Sequence, residues 1–303
     1  MTTMTYSIIG HDPHTRQIGI AVQSRFFAAG RIVPWIEAGV GAIVCQAFSD
    51  PVYGYRGLEL LKQGATPQQA LETVRRADSG AEMRQVAMLD TQGRAAVFTG
   101  QRCVAAAGHI VGNHCVAQAN MAVCDVVWPA MAAAFAKTGG DLAERLLSAL
   151  SAAQKEGGDI RGSQAAALIV CAAKGAGHAH NGRVVDLRVD DHPDPISELA
   201  RLLAYGRAHD RASEATAKAF AGDLAGALSD LDASCAEYPD EPEFLCRRAG
   251  VLMALGRIAE AREMIARACA IGAGWGEWIM RLADAGLIPA SREQLQSMMA
   301  SAV

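Results

Sequence analysis

Aromatic residues are scarce. Phe, Trp and Tyr make up 5% of the 303 residues, so any core has to be packed from small aliphatic side chains. No long apolar run exists either. The longest, residues 165–173, falls well short of the roughly 20 residues that cross a bilayer, so no membrane association is expected. Positive charge is not concentrated: 9 basic and 14 acidic residues follow from His209 onward, and 19 and 18 precede it. Without a basic stripe to neutralise phosphates, nucleic acid is excluded as a partner. The eight cysteines (45, 103, 115, 124, 171, 235, 246, 269) form no CxxC pair, which argues against both a zinc site and a disulfide framework. Free, buried thiols and a cytoplasmic location are the expectation, since residues 1–5 show neither a basic start nor an apolar leader segment. A Gly-rich dinucleotide fingerprint is also missing after the first apolar run, which speaks against a nucleotide fold.

What is present is enough hydrophobic material, 51% of the chain, for two domains. Short β-rich runs occupy Tyr6–Gly10 and Ile18–Ser24 around a turn containing Pro13, and another covers Val40–Gln46. Thr66-Pro67-Gln68-Gln69 places a cap, a first-turn proline and a glutamine that reaches back, so a helix should start there; a second helix is expected over Arg56–Lys62. Strands return at Gln85–Leu89 and Arg94–Thr99 around the turn Asp90-Thr91-Gln92-Gly93, and are expected to continue at Val104–Ala107 and Val116–Ala119. Two helices follow, near Val126–Ala136 and Leu142–Ala153, the latter capped by Asp141 with Glu144. Strands Ala166–Cys171 and Val184–Val189 come next, then a helix from Pro195 to Tyr205. Strand blocks separated by helix pairs predict a layered α+β sandwich rather than regular βαβ winding. From about Glu214 the pattern is helical only. Gly222-Asp223-Leu224-Ala225 and Gly256-Arg257-Ile258-Ala259 stand 34 residues apart, the tetratricopeptide (TPR) period. The expected division is residues 1–208 and 209–303, the second part being a small all-α TPR-like domain.

Ordered motifs run along the first part: Thr5-Tyr6-Ser7-Ile8, Ser24-Arg25, Val33-Pro34-Trp35, Glu37 to Ala42, Tyr53-Gly54, Arg56-Gly57-Leu58 and Arg84-Gln85. Phe98-Thr99-Gly100, Ala107-Gly108-His109, Gln118-Ala119-Asn120, Gly157 to Gly162 and Arg188 to Pro193 follow. Together they resemble the DUF1028 family, placed in the Ntn-hydrolase-like superfamily. The resemblance implies a four-layer αββα sandwich, amide hydrolysis of a small-molecule substrate without metal or organic cofactor, and a homo-oligomer.

Ntn hydrolases attack with a Thr, Ser or Cys whose own α-amine accepts the proton. Thr5 opens the first strand and has that place, but Met4 precedes it, so the amine is free only if the chain begins or is cut there. Otherwise Thr5 is an ordinary β-branched strand residue. Ser24 can hydrogen-bond the nucleophile, and Arg25 either clamps a substrate carboxylate or forms a surface ion pair. Gln46 and Asn120 end strands with amides that polarise a carbonyl or satisfy buried backbone groups. His109, after Gly108, is read as substrate-binding or structural. Asp159-Arg161 and Asp190-Asp191-His192 are read as a structural network ahead of a metal or acid–base cluster, because adjacent strand residues face opposite sides. Cys45 has no activating cation in its surroundings and is assigned to packing. The expected function is hydrolysis of an amide in a small, anionic, nitrogen-containing metabolite. The rival is an inactive ligand-binding or scaffold protein whose repeats grip a partner peptide or a second subunit.

Overall fold

The computed structural model describes residues 5–174, 182–272, 274–288 and 290–300. Strands β1 (Thr5–His11) and β2 (Ile18–Ser24) pair antiparallel, with Tyr6 opposite Gln23, across a turn in which Asp12 accepts from the His14 N–H. Then come β3 (Pro34–Glu37), β4 (Gly41–Ala47), α1 (Pro51–Lys62) and α2 (Pro67–Ala77). The Thr66/Gln69 capping box at the start of α2 forms as predicted. Strands β5 (Arg84–Asp90) and β6 (Ala95–Thr99) are joined by a turn that Gly93 makes possible at φ +78°. After β7 (Gly108–Gly112) and β8 (Cys115–Asn120), helices α3 (Val127–Lys137) and α4 (Leu142–Lys155) follow, and Asp141 and Glu144 cap α4 reciprocally. Strands β9 (Ala165–Cys171) and β10 (Arg183–Val189) complete the β structure.

The strands form two antiparallel sheets, one of six in the order β10-β9-β2-β1-β8-β7 and one of four in the order β3-β4-β5-β6. Their inner faces meet through Ile9, Ile18, Ile20 and Val22 on one side and Ala42, Val44, Ala87 and Leu89 on the other. Alternate residues of β4 and β5 (Ile43, Cys45, Val86, Met88) turn the other way, onto Leu61 of α1 and Leu71 and Val74 of α2. Helices α3 and α4 lie on the outer face of the larger sheet, where Gly10 admits Phe135 and Gly19 admits Leu146. With both faces covered, β1, β2, β4 and β9 are buried at every position, so they read as apolar runs rather than as alternating strands.

Several expectations need correction. Residues 104–107 are not a strand: the carbonyls of Val104 and Ala106 accept from Met121 and Ala122, past the end of β8, and the paired strand begins at Gly108. Helix α1 starts earlier than Arg56, because Asp50 caps it and Pro51 fills its first position. The edge strand β3 was not foreseen; proline at its first position and a half-buried pattern hide it. The helix expected to stop near Tyr205 is α5 (Pro195–Phe220), which continues for four more turns. The chain divides into two compact units between Leu202 and Leu203, inside that helix.

The second unit is helical: α6 (Leu224–Glu237), α7 (Pro242–Ala254), α8 (Ile258–Ile271), α9 (Gly274–Asp284) and α10 (Arg292–Ala300). Helices α6 and α8 begin 34 residues apart, each after a left-handed glycine, Gly222 and Gly256. Its core is aliphatic, with Ala212, Ala215, Leu231, Leu252 and Ile265 buried around Phe244. No described helix is long and apolar enough to cross a membrane.

Candidate functional site

At one end of the sandwich the inward-facing positions change from aliphatic to polar. Continuing inward from Ile9, β1 carries Ser7 and Thr5; β4 carries Gln46 beyond Val44; β5 carries Gln85 before Ala87; β8 carries Gln118 and Asn120 beyond Val116. All six are buried. Amides and hydroxyls tolerate such a place because they carry no charge, provided their hydrogen bonds are made.

Most of them are. The Thr5 hydroxyl donates to Ser24 Oγ at 3.2 Å. Gln46 Nε2 donates to the Thr5 carbonyl and to Gln85 Oε1, both at 2.8 Å, while Gln46 Oε1 accepts from Ser7 at 2.6 Å. Asn120, paired across from Thr5, donates to the same Thr5 carbonyl at 3.4 Å and to Gln85 Oε1 at 3.1 Å. Gln85 Nε2 reaches the Ala119 carbonyl at 2.9 Å, the Gly108 carbonyl at 3.1 Å and Thr99 Oγ1 at 2.9 Å. Thr99 in turn meets His109 Nδ1 at 2.8 Å. One connected web therefore runs from the exposed His109 to the first residue of β1. Asn120 Oδ1 is left out of it, buried with no partner.

A small cleft of about 50 Å³ opens beside this web, bounded by Asn120, Met121, Ala47, Phe48, Arg102 and Val104 among others. Ala47 and Met121 follow the two strand-end amides directly, and both are left-handed, at φ 65° and 48°. Each such non-glycine residue costs on the order of 1–2 kcal/mol, strain of the kind that gathers at functional sites.

Four of the expected site residues, Thr5, Ser24, Gln46 and Asn120, come together here. The amides of Gln46 and Asn120, assigned from sequence to an oxyanion, both donate to the Thr5 carbonyl. Arg25 is exposed; its guanidinium donates to Gln164, which donates on to Asp191 at 3.0 Å. His109 lies at the outer end of the web, and burial holds its imidazole below the usual pKa. Thr5 itself is fully buried, and the question of its amine falls on residues 1–4, outside the described residues.

The acidic motifs form local pairs. Asp159 receives the Arg25 N–H at 2.9 Å and Arg161 at 3.2 Å; Asp190 meets Arg188 at 3.0 Å; His192 Nδ1 accepts from the Asp194 N–H. No group of three metal-binding side chains assembles among the described residues. The Cys45 thiol is pushed up to about 11 by burial and accepts from the Asp50 N–H, so it is not an activated nucleophile. Sequence reasoning missed Gln85 and Arg102. A glutamine at an inward position of β5 was a readable signal for the first; the second sits in an irregular loop that carries no pattern.

The family described as "Family of unknown function (DUF1028)" matches residues 5–199. The crystal structure of the protein SPO2555 from Silicibacter pomeroyi, assigned to the same family, superposes with a TM-score of 0.60 at 32% identity, covering 66% of this chain and 88% of that one. No curated protein matches the chain.

Proposed function

The chain belongs to the DUF1028 family, and from that premise we propose that it is an N-terminal-nucleophile hydrolase acting on an amide bond of a small, anionic, nitrogen-containing molecule. The observation that carries the reading is the buried Thr5–Ser24 hydroxyl pair at the start of a central strand, with two buried amides gripping the Thr5 carbonyl. Helix pairs on the outer faces of two stacked antiparallel sheets support the αββα Ntn-hydrolase-like assignment.

In this scheme the residues ahead of Thr5 are removed and its α-amine, which ordinarily titrates near about 7.7–8.0, becomes the base. Oγ1 passes its proton to that amine and attacks the substrate carbonyl carbon. The C–N bond breaks as the ammonium returns the proton to the departing nitrogen, leaving an ester on Thr5. A water deprotonated by the same amine then hydrolyses the ester and restores the hydroxyl. Ser24 orients the nucleophile, Gln46 and Asn120 hold its carbonyl, and Gln85 braces those two amides. No metal or cofactor takes part.

N-terminal sequencing and intact mass of active protein test this together with release of free amine from a panel of N-acyl amino acids. Thr5 is expected as the first residue, with activity abolished in Thr5→Ala. Activity in a chain that retains residues ahead of Thr5 rules the scheme out. The complete burial of Thr5 favours a second reading, a binding protein without catalysis, in which ligand affinity is indifferent to Thr5→Ala.

The helix starts repeated at 34 residues support a TPR-like second unit used for self-association or for holding a partner peptide, in a cytoplasmic homo-oligomer. Light scattering on the full chain and on a chain ending at Phe220 tests the assembly role.

A further inference from the structure

We infer that the cleft at the ends of β4 and β8 is a subsite for a small N-acylated amino acid, Arg102 taking its carboxylate and Asn120 Oδ1 accepting its amide N–H. The inference deepens the proposed hydrolase by naming the substrate class, but binding in the cleft does not depend on the Thr5 amine.

Two independent features of the cleft point to a ligand. Asn120 is fully buried; its Nδ2 is spent on Thr5 and Gln85, and its Oδ1 faces no donor. A buried acceptor left unpaired is costly, and an incoming N–H removes that cost. Arg102 is the second feature. Its backbone N–H is fixed to the Glu82 carbonyl at 2.8 Å, whereas its exposed guanidinium forms no hydrogen bond or ion pair among the described residues. The neighbouring Arg84 is the contrast: it is occupied by Asp78 at 3.0 Å, by Asp50 at 3.5 Å and by the Phe48 carbonyl. Glu82, whose carbonyl holds the Arg102 N–H, has its carboxylate occupied by the Gln101 N–H at 2.9 Å. A planar, unpaired guanidinium at a cleft is suited to a carboxylate by its fork of donors.

The remaining features narrow the class. A space of about 50 Å³ takes a few heavy atoms, so the bound portion is small. Phe48, Val104 and Met121 make its walls apolar, which suits a short acyl or side-chain group. A free amino acid also offers a donor and a carboxylate. Its ammonium, however, would enter beside Arg102 where no lining residue is acidic, and a desolvated cation without a partner is disfavoured. A neutral amide N–H one carbon from a carboxylate avoids that conflict.

Calorimetric titration of the full chain carrying Thr5→Ala, which prevents turnover, tests the inference with four probes. These are N-acetylalanine, N-acetylalaninamide (no carboxylate), N-acetyl-N-methylalanine (no N–H) and alanine. N-acetylalanine is expected to bind, and each of the others to bind about tenfold or more weakly, the range of one charge-assisted or buried hydrogen bond. Arg102→Gln, at an exposed side chain, is expected to leave the melting temperature unchanged, to weaken N-acetylalanine about tenfold, and to leave the amide probe unaffected. No binding of N-acetylalanine at millimolar concentration, equal affinity for all four probes, or indifference to Arg102→Gln overturns the subsite. The expected binding pattern without hydrolysis by the wild-type chain counts against the Thr5 scheme alone. Hydrolysis of amides that lack a carboxylate, with none of the expected binding, counts against the subsite alone.

Discussion

Replacing Gln85 with alanine should destabilise the sandwich more than any other single change in the polar web. Gln85 Oε1 is the acceptor for one hydrogen each of Gln46 and Asn120, and Gln85 Nε2 is a donor to the Ala119 and Gly108 carbonyls. All three amide side chains are fully buried, so water cannot replace the lost partner without entering the core. Two orphaned donors at about 1–3 kcal/mol each, with a smaller contribution from the carbonyls and the void, give a loss of about 3–5 kcal/mol. For a unit of this size that corresponds to a melting temperature lowered by roughly 10 °C. Differential scanning calorimetry on the full chain measures the loss, and faster hydrogen exchange confined to β1, β4 and β8 localises it. Gln85→Glu sharpens the test. It keeps an acceptor for Gln46 and Asn120, but its ionised form points a negative charge at carbonyl oxygens in a dry site, so burial raises its folded pKa above the unfolded value of about 4.3. Its stability must therefore fall as pH rises through that interval and recover on acidification. A loss below about 1 kcal/mol for the alanine variant, or a pH-independent glutamate variant, refutes the view that the web is closed and dry.

Gly54→Ala should cost about 1–3 kcal/mol, since an added Cβ would lie 2.1 Å from the Trp35 ring where α1 crosses β3; an unchanged denaturant midpoint counts against that packing. His11 is buried with both ring nitrogens unpartnered; burial first, then His114 and Arg16, lower its pKa against the opposing pull of Asp12 and Asp90. The unfolded chain then binds the extra proton, so stability from this group is complete above about pH 6.5 and is lost as pH falls toward the folded value. Urea titrations at pH 5 and pH 7 should show that slope, flattened in His11→Leu; a slope that persists unchanged in the variant places its origin elsewhere.

Local chemistry was legible in the sequence where it is decided locally. The capping boxes at Thr66/Gln69 and Asp141/Glu144 depend on residues three apart, and both form as read. The Asp90–Arg94 turn is another case, its Gly93 set by a single backbone angle. What escaped depends on distance or on context. Strand β3 exists because β4 gives it an edge to pair with, and residues 104–107 lost their strand because the register of β7 with β8 starts later. At the site, Thr5 and Ser24 were visible as a strand start and a strand end of one hairpin. The meeting of Gln46, Gln85 and Asn120 was not, because each comes from a different strand and only the stacking of two sheets brings them together. Arg102 acquires meaning only from a recess that no sequence window contains.

The two left-handed residues, Ala47 and Met121, make the floor of that recess a property of the main chain. Each fixes the exit direction of the loop that follows an amide-bearing strand. The side chains around the opening are partly exposed: Phe48 hangs from the first of those loops, and Val104, whose carbonyl accepts from the Met121 N–H, from the segment between β6 and β7. Exchanging them for larger or smaller residues should resize the mouth while the Asn120 acceptor stays where the strands hold it. Under the proposed hydrolase reading, selectivity for different acyl groups would be adjustable at the rim, independently of the strands that hold Thr5.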